Sequence, residues 1–162
     1  MISAIFAHDL CGSFGNDTGL PWPVIKEDMQ HFKAITTKYK NMLMGSNTAR
    51  LLPVFNDDRK RWVVSSTTEP DFKYDRLISP SAIAKQFSYE MGDFVIIGGP
   101  SLLLPAYLDK CDEIYQTVVK GTFNENANVH LSPYTLAFLR ESGLNEEIIQ
   151  DTENCIIRRF YR

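Results

Sequence analysis

The chain has 162 residues, is 44% hydrophobic and 23% charged, and sets 17 basic against 20 acidic side chains for a net charge of −3. That length suits one domain, able to bury about 70% of its unfolded surface without a disulfide or metal, and the charge balance argues against disorder and against a polybasic binder of nucleic acid or membrane. No apolar run nears the ~20 residues that span a bilayer, and the opening Met1–Ala7 carries no basic leader, so the expected location is cytoplasmic.

Ile2–Ala7 reads as a buried strand. It runs into a long loop from Asp9 to Trp22 that holds Gly12, Gly15 and Gly19 and closes on Pro21-Trp22. Loops this long are functional lids or disordered segments. Ile25, Met29, Phe32 and Ile35 then recur at steps of four and three, the apolar stripe of a helix. Asn41–Gly45 is a second strand, and Gly45-Ser46-Asn47-Thr48 turns into a short helix over Thr48–Leu52. Arg61–Ser65 and Arg76–Ile78 are further strands, and Pro80-Ser81 opens a helix over Ser81–Tyr89. Phe94–Ile97 is a β-branched strand ending at Gly98-Gly99-Pro100-Ser101, which leads into a helix over Leu102–Leu108. Glu113–Val119 is a strand, and 132–145 is ambiguous, reading as loop with a helical turn as the alternative. Glu147–Gln150 and Cys155–Tyr161 flank a polar turn as a hairpin. Strands alternating with helices give an α/β fold with a mainly parallel sheet, and the hairpin adds an antiparallel edge. Cys11, Cys111 and Cys155 share no close spacing and read as free thiols. With His8, His31 and His130 equally scattered, no zinc spacing exists.

In such sheets ligands bind beyond the carboxyl ends of the strands. Two glycine turns leading into helices suit two ends of a dinucleotide, although neither matches a Walker or Rossmann fingerprint. Asp28 lies four residues before Phe32 and beside Met29. A carboxylate there is either the charged edge of an apolar stripe or a pocket acid whose pKa burial raises.

Together these residues resemble dihydrofolate reductase. The match runs through Gly12-Ser13-Phe14-Gly15, Gly19-Leu20-Pro21-Trp22 and Asp28-x-x-x-Phe32-Lys33 with Thr36. It continues in Met44-Gly45-x-x-Thr48, Arg59-Lys60 with Val64-Ser65-Ser66, Ile97-Gly98-Gly99, Ile114-Tyr115-x-Thr117 and the closing strand from Cys155. The resemblance implies an eight-stranded sheet with about four helices. It implies reduction of 7,8-dihydrofolate to tetrahydrofolate by NADPH, the step that feeds one-carbon metabolism and thymidylate and purine synthesis. Asp28 would hydrogen-bond the pterin and promote protonation at N5, with Thr117 bonded to it, Trp22 holding a bridging water, and Leu20 on the lid over the nicotinamide. Met29, Phe32 and Leu52 would pack against the rings, Arg59 would pair with the glutamate α-carboxylate, and Ile5, Phe6, Ala7 and Ile97 would offer backbone groups. Ser13, Phe14, Gly15, Asn16, Asp17, Thr18 and Gly19 of the lid would line the cofactor. So would Gly45, Ser46, Asn47 and Thr48, then Ser65, Ser66 and Thr67, and finally Gly98, Gly99, Pro100, Ser101, Leu102 and Leu103. The Gly98–Gly99 peptide would be cis. The implied partners are dihydrofolate and antifolates, with no nucleic acid or membrane, and the implied state is a monomer.

The sequence departs from the family pattern in places. Glu27 precedes Asp28, but a helix turns it about 100° away from the Phe32 face. Serines at 46 and 101 stand where cations are common, so NADPH should be preferred over NADH by a reduced margin. Pro100 removes an amide from its turn. Leu103, Ala49 and Asn56 replace residues more usual at their positions. His31, three residues after Asp28, reads as a rim or surface histidine, with a proton relay to Asp28 as the alternative, and Cys11 as a partly buried, inert thiol, with a reactive one as the alternative should it be exposed. A reductase of riboflavin-precursor pyrimidines would lack the Leu-Pro-Trp…Asp-x-x-x-Phe arrangement, and a catalytically idle homologue would not need Asp28, Trp22, Thr117 and Arg59 together.

Overall fold

The computed structural model of the chain describes residues 1–87 and 92–162. Eight strands form one sheet: β1 (Ile2–His8), β3 (Asn41–Gly45), β4 (Lys60–Val64), β5 (Arg76–Ile78), β6 (Phe94–Gly98), β7 (Glu113–Val119), β9 (Asn145–Asp151) and β10 (Cys155–Tyr161). Their order is β5-β4-β3-β6-β1-β7-β10-β9. Every pairing from β5 to β7 is parallel, and β10 is antiparallel to both β7 and β9. This is the mainly parallel sheet with an antiparallel hairpin edge that the sequence leads one to expect. A separate two-stranded sheet pairs β2 (Ser13–Gly15) with β8 (Val129–His130).

Among the described residues five α-helices flank the sheet where about four were expected: α1 (Lys26–Tyr39), α2 (Ser46–Leu51), α3 (Pro80–Gln86), α4 (Pro105–Leu108) and α5 (Pro133–Glu141). The addition is α5, in the segment read as loop. It starts as helices do, with Pro133 at its first position and the Ser132 hydroxyl accepting the Tyr134 amide at 3.2 Å. The helix expected over Leu102–Leu108 is instead two pieces, a 3-10 turn over Pro100–Leu103 and then α4. Pro105 explains the break, because the residue before a proline is pushed out of the helical region, and Leu104 sits at φ −71°, ψ 157°. The helix expected over Ser81–Tyr89 is α3, with the Ser79 hydroxyl as its cap. Ser88 and Tyr89 lie outside the described residues.

Alternate residues of each strand face opposite ways, so the sheet carries two cores. One gathers Ile2, Ala4, Phe6, Leu43, Phe94 and Ile96 under Ile83 of α3, Leu108 of α4 and Leu139 of α5. The other gathers Ile5, Met42, Met44, Val95, Ile97 and Tyr115 under Tyr39 of α1 and Ala49 of α2. The chain therefore leaves β1 across one face through α1 and comes back across the other through α3. A sheet wound in both directions opens a crevice at the carboxyl ends of its central strands, here β1 and β6.

Candidate active site

The first turn of α1 delivers Asp28 to that crevice. Thr117, on β7 and 89 residues away, donates its hydroxyl to Asp28 Oδ1 at 2.7 Å. Burial raises the Asp28 pKa above the ordinary carboxylate value. The Thr117 bond works against that rise and the charge of Glu27 adds to it. Ile5, Ile97 and Tyr115 floor the same face of the sheet, with Phe32 and Leu52 packed against them. The arrangement is a carboxyl group in an apolar cleft, fixed by one hydroxyl, which is what a proton-handling group near neutral pH needs. Glu27 points elsewhere. Its own backbone amide holds its pKa down, and Oε2 accepts from Asn154 at 3.4 Å at the β9–β10 turn.

Trp22 is 5% exposed, and its indole Nε1 is buried without a hydrogen-bond acceptor among the described residues. That leaves a donor free for a small polar partner. His31, one turn beyond Asp28, lies edge-on to Tyr115 at 5.3 Å, and burial lowers its pKa. Met29 and Leu20 are 55% and 54% exposed, so both stand in solvent rather than against a wall. Phe6 places its side chain in the opposite core and has backbone groups alone to offer this cleft.

The long loop after β1 is held at its root by Asp9, which is fully buried. Oδ1 accepts the amides of Cys11 at 2.9 Å and Ser13 at 2.8 Å, and Oδ2 accepts Phe123 N at 2.6 Å. Burial alone would raise the pKa of Asp9, but those amides outweigh it and the pKa is lowered. Further along, β2 pairs with β8, Asn16 bonds Asn126 O at 2.8 Å, and Asn128 bonds Asp17 at 2.8 Å.

Gly45 and the Gly98-Gly99 pair meet where β3 and β6 end. A Cβ on Gly45 would lie 3.7 Å from Gly99 N, and one on Gly98 would lie 2.9 Å from the Phe14 ring. Gly98 has φ 134°, which disfavours side chains, and the Gly98–Gly99 peptide is cis, as expected. No side chain caps α2, so its first-turn amides remain donors for a ligand, whereas in the Pro100–Leu103 turn Pro100 has no amide and Leu102 N donates to Gly99 O at 3.0 Å. This bare backbone surface fits the phosphates of a dinucleotide. Thr48 Oγ1 lies beside both glycines. Ser65, Ser66 and Thr67 follow the end of β4, with the Ser65 hydroxyl accepting Thr67 N at 3.2 Å. Leu103 does not fit the cofactor set. It is fully buried and its carbonyl accepts the Thr135 hydroxyl at 2.7 Å. Leu102 is 5% exposed, with its side chain in the same core.

Arg59 is held more tightly than the sequence suggests. Asp57 accepts its Nε at 2.9 and 3.0 Å and its Nη2 at 2.8 Å, and Thr36 Oγ1 accepts Nη1 at 2.9 Å. The guanidinium lies 3.7 Å above the Phe55 ring. Asp57, Thr36 and Phe55 were missed by reading residues singly. The signal was a carboxylate two positions before an arginine, within reach of its fork. Two surface hollows, about 420 Å³ beside Cys11 and Phe123 and about 300 Å³ beside His8 and Arg158, lie elsewhere. Chemistry rather than volume marks the Asp28 cleft. No cluster among the described residues could hold a metal ion, and no described helix is long and apolar enough to cross a membrane.

Comparison with known proteins agrees with this geometry. A family model described as dihydrofolate reductase matches residues 1–156. The type A10 dihydrofolate reductase of Escherichia coli is 33% identical over 138 residues, covering 80% of this chain and 72% of its own. The dihydrofolate reductase of Mycoplasma genitalium is 28% identical over 146 residues, covering 84% and 88%. Among solved structures, dihydrofolate reductase from Enterococcus faecalis, complexed with NADP(H) and RAB-propyl, superposes with TM-score 0.72 at 21% identity, over 100% of this chain and 96% of that one.

Proposed function

The chain belongs to the dihydrofolate reductase family, and on that premise we propose that it reduces 7,8-dihydrofolate to tetrahydrofolate with NADPH. The observation that carries the reading is the Asp28–Thr117 pair, a carboxyl kept partly desolvated and fixed at 2.7 Å beside an apolar cleft.

In this reading Asp28 binds the 2-amino group and N3 of the pterin and promotes protonation at N5. Thr117 fixes which way the carboxyl faces. Trp22 donates its free N–H to a water bridging toward the pterin. Phe32 and Leu52 clamp the rings, with Met29 turning in from the rim, and Ile5, Phe6, Ala7 and Ile97 present backbone groups. Bound NADPH supplies the hydride. Gly45, Gly98 and Gly99 let backbone approach its phosphates, and Ser46, Asn47, Thr48, Pro100 and Ser101 surround them. Ser65, Ser66 and Thr67 offer hydroxyls at the adenosine end. Lid residues from Ser13 to Leu20 exclude water on closing, which strengthens every polar contact inside. The protein's share is thus orientation, a dry cleft and a proton. The same reading makes the chain a cytoplasmic monomer with folate-like inhibitors as ligands.

The test is NADPH oxidation driven by dihydrofolate, in the wild type, Asp28→Asn and Glu27→Gln. Loss of the proton-handling group costs about 10²–10⁴ in rate, so Asp28→Asn should fall in that range while Glu27→Gln stays within about twofold. Equal losses from both would sink the assignment.

A further inference from the structure

The protein itself already engages all three nitrogens of the Arg59 guanidinium. Its Nε–Nη2 edge, one of the edges that make two parallel bonds to a carboxylate, is filled by Asp57 at 2.8–3.0 Å. The third nitrogen is committed to Thr36, whose hydroxyl donates in turn to Phe32 O at 2.7 Å on α1. Phe55 covers one face of the plane. Arg59 is intermediate in exposure as a residue, yet its side chain is 4% exposed against 32% for Asp57. A ligand carboxylate that comes to this cation therefore meets a neutral, shielded pair rather than a free charge. Adding a second carboxylate without removing the first would leave a net negative charge in a poorly hydrated place, which is costly. Asp57 can leave, because it sits in an exposed segment with Val54, Asn56 and Asp58, and its backbone tie is local, from Arg59 N to Oδ1 at 3.0 Å.

We propose that Asp57 is an internal carboxylate that competes with the carboxylate tail of the substrate for Arg59, and so sets how strongly the enzyme selects for that tail. The inference rests on the reductase reading. Asp57 acts through Arg59 and does not touch the reacting atoms. It lowers the benefit of the tail, so the wild type discriminates weakly between dihydrofolate and a dihydropterin without a tail. Removing its charge gives Arg59 to the substrate, and the discrimination grows.

The experiment compares kcat and KM for dihydrofolate and for 6-methyl-7,8-dihydropterin in the wild type, Asp57→Asn and Asp57→Ala. Both variants should lower KM for dihydrofolate about tenfold and leave kcat unchanged, with both constants for the dihydropterin moving less than twofold. An equal change for both substrates, or a loss confined to dihydrofolate, overturns the proposal, the latter because Asp57 would then be holding Arg59 in place for the substrate. A second readout needs no turnover. The variants leave Arg59 unpaired, so their Tm should fall without ligand and be restored by folic acid more than by 6-methylpterin. Equal restoration by the two overturns the proposal. Absence of wild-type turnover with folic acid still bound would instead count against the reductase reading, while the melting comparison decides the role of Asp57.

Discussion

At the scale of single residues, the cofactor end is where this chain differs most from its family's pattern. Ser46 and Ser101 put no charge beside their turns, and three of the cations nearby in sequence, Arg50, Lys40 and Arg61, are engaged elsewhere. Arg50 donates Nε to Asp71 at 2.8 Å and Nη1 to Asn47 at 2.7 Å. Lys40 lies 3.3 Å from Asp58. Arg61 is 6% exposed and turned inward, donating to the carbonyls of Ala49 at 3.3 Å, Leu52 at 3.2 Å and Pro53. A single charge-assisted bond contributes about 1.5–3 kcal/mol, which neutral hydroxyls at Ser65, Ser66 and Thr67 do not match. NADPH should therefore be favoured over NADH in kcat/KM by about tenfold, and Ser46→Arg should widen the margin. Steady-state rates with both cofactors check this, and a wild type that prefers NADH refutes it.

At the scale of elements, one carboxylate ties four of them. Glu113 of β7 is 2% exposed and accepts from the Tyr39 hydroxyl at the end of α1, from Lys38 at 3.4 Å and from Arg159 of β10 at 2.7 Å. Arg159 reaches on to Glu147 of β9 at 3.1 Å. Burial works to raise the Glu113 pKa, but the Tyr39 and Arg159 bonds outweigh it and hold the pKa below the ordinary value. A depressed carboxylate adds stability above its unfolded pKa and loses it as pH falls through its folded pKa. Glu113→Gln should thus cost about 2–4 kcal/mol at pH 7. That corresponds to a Tm lower by about 4–16 °C for a chain of this size, and the gap should narrow as pH falls below the ordinary glutamate range. A melting curve at each pH checks it, and a gap that persists in acid would contradict it. None of this network shows in the sequence, where Glu113 is simply the first residue of an apolar strand. The runs at Ile2, Asn41 and Phe94 are legible because burial on both faces writes a continuous apolar signal. The pairs β2 and β8 are not, because three- and two-residue strands exist only through each other. Asp28 and Thr117 likewise come together through the winding of the sheet, and it is the family resemblance, not local pattern, that joins them in advance. α5 opens on Ser132-Pro133, a helix start written in the residues themselves.

At the scale of the whole molecule, the sheet has two unequal edges. β5 is three residues long, while β9 is seven residues long and exposed throughout, with Ile148 at 58% and Ile149 at 47%. A long exposed edge with apolar side chains invites pairing with another copy, and charges along it oppose that. Glu146, Glu147 and Asp151 supply them, the first two paired to Arg158 at 3.4 Å and Arg159 at 3.1 Å. Replacing Glu146 and Glu147 together by valine should promote concentration-dependent association through this edge, read by light scattering. An unchanged mass at high protein concentration would show that the charges are not what keeps the edge apart.

The Asp9 clamp divides the lid into a root and a tip. Two amides of the loop itself, Cys11 and Ser13, and one from Phe123 in the segment after β7 converge on one buried carboxylate, so the span from Asp9 to Ser13 is part of the scaffold. The span from Asn16 to Leu20 is anchored by exposed contacts that cost little to break. Any opening is therefore a short lever swinging about a fixed fulcrum. Insertions and deletions have somewhere to go in the tip and nowhere to go in the root.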